Sequence, residues 1–90
     1  MYRITFTEDA KKDVKKLDKK APRTIPKLAK LLEELKKHPA AGTGQIELIK
    51  YYKEKTYSRR ISHAHRLVYR IDDDEQEVII LSCYGHYADK

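Results

Sequence analysis

The spacing of apolar positions changes along the chain, and each change marks a new element. From Tyr2 to Thr7, Tyr2, Ile4 and Phe6 share one parity while Arg3, Thr5 and Thr7 share the other. A period of two predicts a half-buried strand. Thr7 can then cap a helix, and Glu8 and Asp9 suit the positive end of its dipole. Ala10, Val14, Leu17 and Ala21 follow at helical spacing, with Lys11, Lys12, Lys15, Lys16, Lys19 and Lys20 on the remaining faces. The pattern predicts a first helix from Glu8 to Lys19 or Lys20. Ala21-Pro22 breaks it. Thr24 is a candidate cap for a second helix, with Pro26 inside the tolerated first turn. Ile25, Leu28, Leu31, Leu32 and Leu35 form its apolar stripe. Lys36, Lys37 and His38 suit the negative end, and Pro39 stops it.

The second half reads differently. Pro39 to Gly44 is a small-residue loop. Ile46, Leu48 and Ile49 begin a strand, Tyr51 to Thr56 is a polar connection, and Tyr57 to Ile61 is the next strand. His65 to Ile71 follows, with Leu67, Tyr69 and Ile71 on one parity, and Asp72-Asp73-Asp74-Glu75 is an acidic turn. Val78 to Cys83, V-I-I-L-S-C, has no alternation and predicts a central strand buried on both faces. The expected order is β-α-α-β-β-β-β, an α+β fold with a two-helix hairpin packed on a mainly antiparallel sheet. No repeat or linker interrupts it, so residues 1–90 are expected to form a single domain.

Charge adds a partner class. Twenty Lys and Arg against fourteen Asp and Glu leave a net charge of +6. That surplus favours a polyanionic partner, nucleic acid or an acidic protein, although lysines also serve solubility alone. One cysteine, Cys83, excludes an internal disulfide and a zinc cluster of thiolates, and it fits a reducing cytoplasm. No apolar run approaches the roughly 20 residues a membrane helix needs, and M-Y-R-I-T-F-T lacks a secretory layout.

Candidate chemistry concentrates in the second half. In S-R-R-I-S-H-A-H-R-L-V-Y, Ser58 to Tyr69, two strand-like segments flank a polar turn and carry Arg59, Arg60 and Arg66. A turn of three or five residues puts Arg60 and Arg66 on one face, and a turn of four puts them on opposite faces. On one face the two guanidinium groups make a fork for phosphate; otherwise they pair with carboxylates on a solvated surface. Glu47, between Ile46 and Leu48, points either to solvent or to the face that carries the arginines, where it can act as a base. Lys50 stands close by for phosphate. In C-Y-G-H-Y, Gly85 permits a sharp exit from the last strand, His86 can exchange a proton near neutrality, and Tyr87 can stack on a base. His63 and His65 share a strand parity, but no carboxylate or cysteine stands at ligand spacing, so neither metal nor cofactor is expected. Cys83 reads as a buried small hydrophobe.

G-T-G-Q-I-E-L-I-K at 42–50, S-R-R-I-S-H-A-H-R-L-V-Y at 58–69 and C-Y-G-H-Y at 83–87 occur in that order. Together they resemble the YoeB/Txe toxins of the RelE superfamily. The resemblance implies a RelE-like fold and a toxin of a type II toxin–antitoxin pair that cuts mRNA at the ribosomal A site. It implies Glu47 as general base, Arg66 as transition-state stabiliser, His86 as general acid and Tyr87 beside it, with Lys50 and Arg60 along the phosphate path. The implied partners are a cognate antitoxin, the 70S ribosome with its mRNA, and a second copy in a homodimer. Ile46, Leu48 and Tyr57 replace the proline and tryptophan frequent in that family, and Ala88-Asp89-Lys90 extend past its usual end. A different class of reading is a non-catalytic module on the RelE/ParE scaffold that grips nucleic acid or a protein such as gyrase. Glu47 with His86 separates the two, since a pure binder gains little from an acid–base pair.

Overall fold

In a computed structural model, residues 1–40, 42, 46–49 and 55–85 are described. They form β1 (Arg3–Phe6), α1 (Glu8–Lys20), a single 3-10 turn (Pro22–Thr24), α2 (Ile25–Lys37), β2 (Glu47–Ile49), β3 (Thr56–Arg60), β4 (Arg66–Asp72) and β5 (Glu77–Ser82). The order is the one expected. The strands make one five-stranded sheet, β1-β5-β4-β3-β2, antiparallel except for β1 alongside β5. No helix among the described residues is long and apolar enough to cross a membrane.

Both helices lie on one face of the sheet. Ala10 and Leu17 of α1 and Leu28, Leu31 and Leu35 of α2 are buried with Leu67, Tyr69, Val78 and Ile80 in one apolar cluster. Removing such side chains from water is the main stabilising term of a domain this small. Thr7 caps α1 as expected, its hydroxyl accepting from the Ala10 N–H at 3.1 Å. The same hydroxyl donates to the Ile80 carbonyl at 3.0 Å, so one cap also ties α1 to β5. Thr24 does not cap α2. Its hydroxyl donates to the Ala21 carbonyl at 2.7 Å and closes the 3-10 turn that runs straight into the helix.

Strand β5 departs from expectation in an instructive way. Tyr69 pairs with Ile80 but Val68 pairs with Ser82, so Leu81 is an extra residue with no partner of its own. Such a β-bulge inverts the side-chain parity. Val78 and Ile80 face the helices, Ser82 faces away, and Cys83 returns to the core, where its Sγ lies 3.9 Å from the Ala10 carbonyl. Ile79 and Leu81 are only half-buried. Burial along V-I-I-L therefore alternates although its residues are all apolar, so the strand is not fully buried on both faces. The most buried strand is β4, at the centre of the sheet.

Arg59 is fully buried on the helix side. Its Nε donates to the Tyr69 hydroxyl at 2.9 Å and its Nη1 to Glu34 Oε1 at 3.1 Å. Its Nη2 donates to the His38 and Pro39 carbonyls, both at 3.1 Å. A buried guanidinium is tolerable only when paired and hydrogen-bonded in this way. The Tyr69 hydroxyl in turn donates to the Pro39 carbonyl at 3.2 Å, and its ring stacks on Tyr57 with centroids 5.9 Å apart. Burial pushes the Tyr69 pKa up, against the opposing pull of Arg59. The cluster ties the end of α2 to the middle of β3.

Candidate active site

The face turned away from the helices is set by the register of β2, β3 and β4. Arg60 sits directly opposite Arg66, one residue beyond the Arg59–Leu67 pair, which faces the helices. Alternation therefore turns both arginines to the far face. The sequence left their relation open, and the turn resolves it. The N–H groups of Ile61 and Ser62 both donate to the His65 carbonyl, at 3.0 and 3.2 Å, and the His65 N–H returns to Ser62 at 3.4 Å. Two residues thus oppose one in a second bulge, which absorbs the odd residue and leaves His63 and Ala64 to turn the chain. On β2, Glu47 pairs with Ser58, which shares Arg60's parity, so Glu47 faces the same way. It stands diagonal to Arg60, a separation of about 7–8 Å between backbones.

The two arginines differ in setting. Arg60 is exposed, whereas Arg66 is only 7 % exposed. The Nη1 of Arg66 donates to the Ser62 carbonyl at 3.0 Å and to the His65 carbonyl at 3.4 Å, so the turn holds the guanidinium in place. Its Nε and Nη2 make no hydrogen bond among the described residues and can be offered to an anion. Like charges placed directly opposite cost a sheet stability. That cost suits a site waiting for negative charge better than it suits a scaffold. Between Glu47 and Val68, Ser58 is buried and its hydroxyl has no hydrogen-bond partner among the described residues.

The chain after β5 runs back to this hairpin. The Cys83 N–H donates to Asp13 Oδ2 of α1 at 3.0 Å, and the Arg66 N–H donates to the Gly85 carbonyl at 2.9 Å. The Gly85 N–H donates to His65 Nδ1, also at 2.9 Å. Gly85 has φ of +79°, and a Cβ there would meet nothing within 4 Å among the described residues, so the left-handed backbone itself is what calls for glycine. The His65 ring lies 4.7 Å from the Tyr84 ring, over which Lys16 places its Nζ at 5.6 Å. Burial lowers the His65 pKa.

Of the six site residues named from the sequence, Glu47, Arg60 and Arg66 come together on one face. Lys50, His86 and Tyr87 lie outside the described residues, although Gly85, immediately before His86, is hydrogen-bonded to the start of β4. Sequence reasoning missed Asp13, an acidic residue on a lysine-rich helix, and set His65 aside with His63 as a metal pair. His63 is exposed in the turn, whereas His65 has its Nδ1 committed to Gly85. Among the described residues no group of three His, Cys, Asp or Glu side chains could hold a metal ion.

Residues 6–87 match the model of a family described as the YoeB-like toxin of bacterial type II toxin–antitoxin systems. The chain is 35 % identical to Toxin YoeB of Escherichia coli (strain K12) over 72 % of its length and 75 % of that protein's. Among solved structures it resembles the YoeB dimer of Staphylococcus aureus, with a TM-score of 0.83 and 37 % identity, over 96 % of this chain and 98 % of that one. It also resembles the heterotetrameric YoeB–YefM toxin–antitoxin complex from Staphylococcus aureus. There the TM-score is 0.79 and the identity 36 %, over 97 % of this chain and 99 % of that one.

Proposed function

The chain belongs to the YoeB-like toxins of bacterial type II toxin–antitoxin systems, and we propose that it acts as a ribosome-dependent endoribonuclease on mRNA. The observation that carries this reading is the common face of Glu47, Arg60 and Arg66. Cutting RNA through its own ribose needs a base for the 2′-OH, positive charge for the crowded phosphorane and an acid for the leaving 5′-oxygen. Glu47 takes the 2′-OH proton, and the 2′-oxygen attacks the adjacent phosphorus. Arg66, held by the turn carbonyls, stabilises the charge that gathers on the phosphoryl oxygens. Arg60 and Lys50 bind neighbouring phosphates. His86 gives a proton to the departing 5′-oxygen, and Tyr87 orients the substrate beside it. The products are a 2′,3′-cyclic phosphate and a 5′-OH, and DNA, lacking the 2′-OH, is not cut.

The ribosome brings the mRNA to this face, and the toxin's net charge of +6 favours that encounter. An antitoxin with an acidic segment silences the toxin, by analogy with the YoeB–YefM complex. A homodimer follows from the same kind of analogy with the Staphylococcus aureus YoeB dimer. The cytoplasm is where such a target resides.

The test is cleavage of a translated mRNA on purified ribosomes. Arg66→Ala or Glu47→Ala is expected to lower the rate by about 10²–10⁴-fold while the circular dichroism spectrum stays that of the folded chain. Wild-type rates in either variant would remove the assignment. Growth arrest with intact mRNA and damaged DNA would instead favour a binding module directed at gyrase.

A further inference from the structure

The segment that ends in Gly85 is tied down by three hydrogen bonds, and one of the three has an imidazole as its acceptor. Asp13 of α1 accepts from the Cys83 N–H, the Arg66 N–H reaches the Gly85 carbonyl, and His65 Nδ1 accepts from the Gly85 N–H. The last two form a two-point clasp between Gly85 and the pair His65-Arg66, where the turn enters β4. A backbone N–H can only donate, so His65 Nδ1 must carry a lone pair and the proton of the neutral ring sits on Nε2. Once the ring takes a second proton, Nδ1 becomes a donor facing a donor, and the contact turns repulsive.

We infer that His65 is a positioning residue, whose neutral imidazole fixes the backbone of Gly85, the residue immediately before His86. It does not touch substrate. It acts through the backbone, and Tyr84, packed on the other side of its ring at 4.7 Å, keeps that ring in place. Because Arg66 is the next residue in the chain and its Nη1 reaches the His65 carbonyl, the same residue links the phosphate-binding arginine to the proton-donating segment. The clasp therefore holds Gly85, the residue before His86, against the start of the strand that carries Arg66, and such fixed positioning is what transition-state geometry requires.

The device is sensitive to pH. The charged groups around it are Arg66 of β4, Lys16 of α1 above Tyr84, and the Asp13 carboxylate at the Cys83 N–H, with exposed His63 in the turn. Arg66 and Lys16 are cationic side chains and disfavour a further positive charge on the ring. Burial acts in the same direction and lowers the pKa. The clasp is thus closed at neutral pH and opens only on acidification.

This inference rests on the reading of the chain as an endoribonuclease, and the experiment separates the two. Wild type, His65→Ala and His65→Asn are compared, since Asn places Oδ1 close to where Nδ1 stood and cannot be protonated. The first readout needs no activity. The Gly85 amide resonance and its hydrogen exchange, followed by NMR against pH, should titrate with the His65 ring in wild type and should not titrate in His65→Asn. The second readout is mRNA cleavage on ribosomes. His65→Ala should lose about 10²-fold in kcat with KM for programmed ribosomes essentially unchanged. His65→Asn should recover most of that loss and move the acidic limb of the pH profile to lower pH. A Gly85 amide indifferent to His65, or full kcat in His65→Ala, overturns the inference. A wild-type protein that cuts no mRNA removes the functional reading on its own account, and the Gly85 titration then decides the clasp by itself.

Discussion

Arg59 and Arg60 are neighbours in sequence, but they should fail in opposite ways when truncated. Arg59→Ala removes at least the hydrogen bonds to Tyr69, Glu34, His38 and Pro39, and leaves a cavity in a fully buried place. Breaking one side of a buried ion pair costs about 3–5 kcal/mol, because the partner charge is stranded. Here the partner carboxylate, Glu34, keeps a side-chain exposure of 24 % and regains some water. The Tyr69 hydroxyl also keeps its bond to Pro39. Both considerations place the loss near the lower end, about 3 kcal/mol. A chain of this length has roughly 5–13 kcal/mol in all, and about 3 kcal/mol lowers its Tm by roughly 10–25 °C. Arg60 is exposed and lies opposite a like charge. Arg60→Ala should therefore leave stability within about 0.5 kcal/mol, with any change toward gain. Urea unfolding followed by circular dichroism reads both, the shift appearing in the midpoint at unchanged slope. A midpoint for Arg59→Ala within error of wild type would refute the claim that this guanidinium is an interior strut. A large loss for Arg60→Ala would refute its placement on the solvent side.

Two further outcomes follow from the geometry. Thr7→Ala loses the α1 cap and the bond to the Ile80 carbonyl together, and should cost about 1–2 kcal/mol in the same unfolding assay. The lowered pKa of His65 means that the unfolded ring takes a proton near pH 6.5 while the folded one resists it. In that interval the unfolded state binds more protons, so this contribution is complete above about pH 6.5 and is lost as pH falls through the folded value. Urea midpoints for wild type and His65→Asn should accordingly diverge between about pH 7 and pH 5.5, and parallel curves would contradict it.

Much of the fold was legible because its elements are locally consistent. The leucine stripe of α2, the capping threonine of α1 and the alternation in β1 and β4 each point to one structure. Strand order was less accessible, since the parallel pairing of β1 with β5 joins positions such as Ile4 and Val78 that no local pattern links. In the candidate site, the face shared by Arg60 and Arg66 depended on one residue in the turn, which only the bulge at Ile61-Ser62 resolves. Arg59 and Arg60 are the same residue type in adjacent positions, and strand parity alone assigns one to the interior. His65 was hidden for another reason: its partner is the backbone of Gly85, and a backbone amide leaves no trace in the sequence.

The extra residue at Leu81 works as a phase shifter. Upstream of it, β5 is in step with the helical core; downstream, Ser82 and Cys83 are displaced by half a period. A strand without that shift would aim Ser82 at the helices and turn Cys83 and its N–H away from Asp13. Loss of one residue here would thus leave the core side chains Val78 and Ile80 undisturbed while rotating Ser82 and Cys83 to the wrong side of the sheet. Length along this strand, counted to the single residue, carries as much of the site's geometry as the identity of any side chain in it.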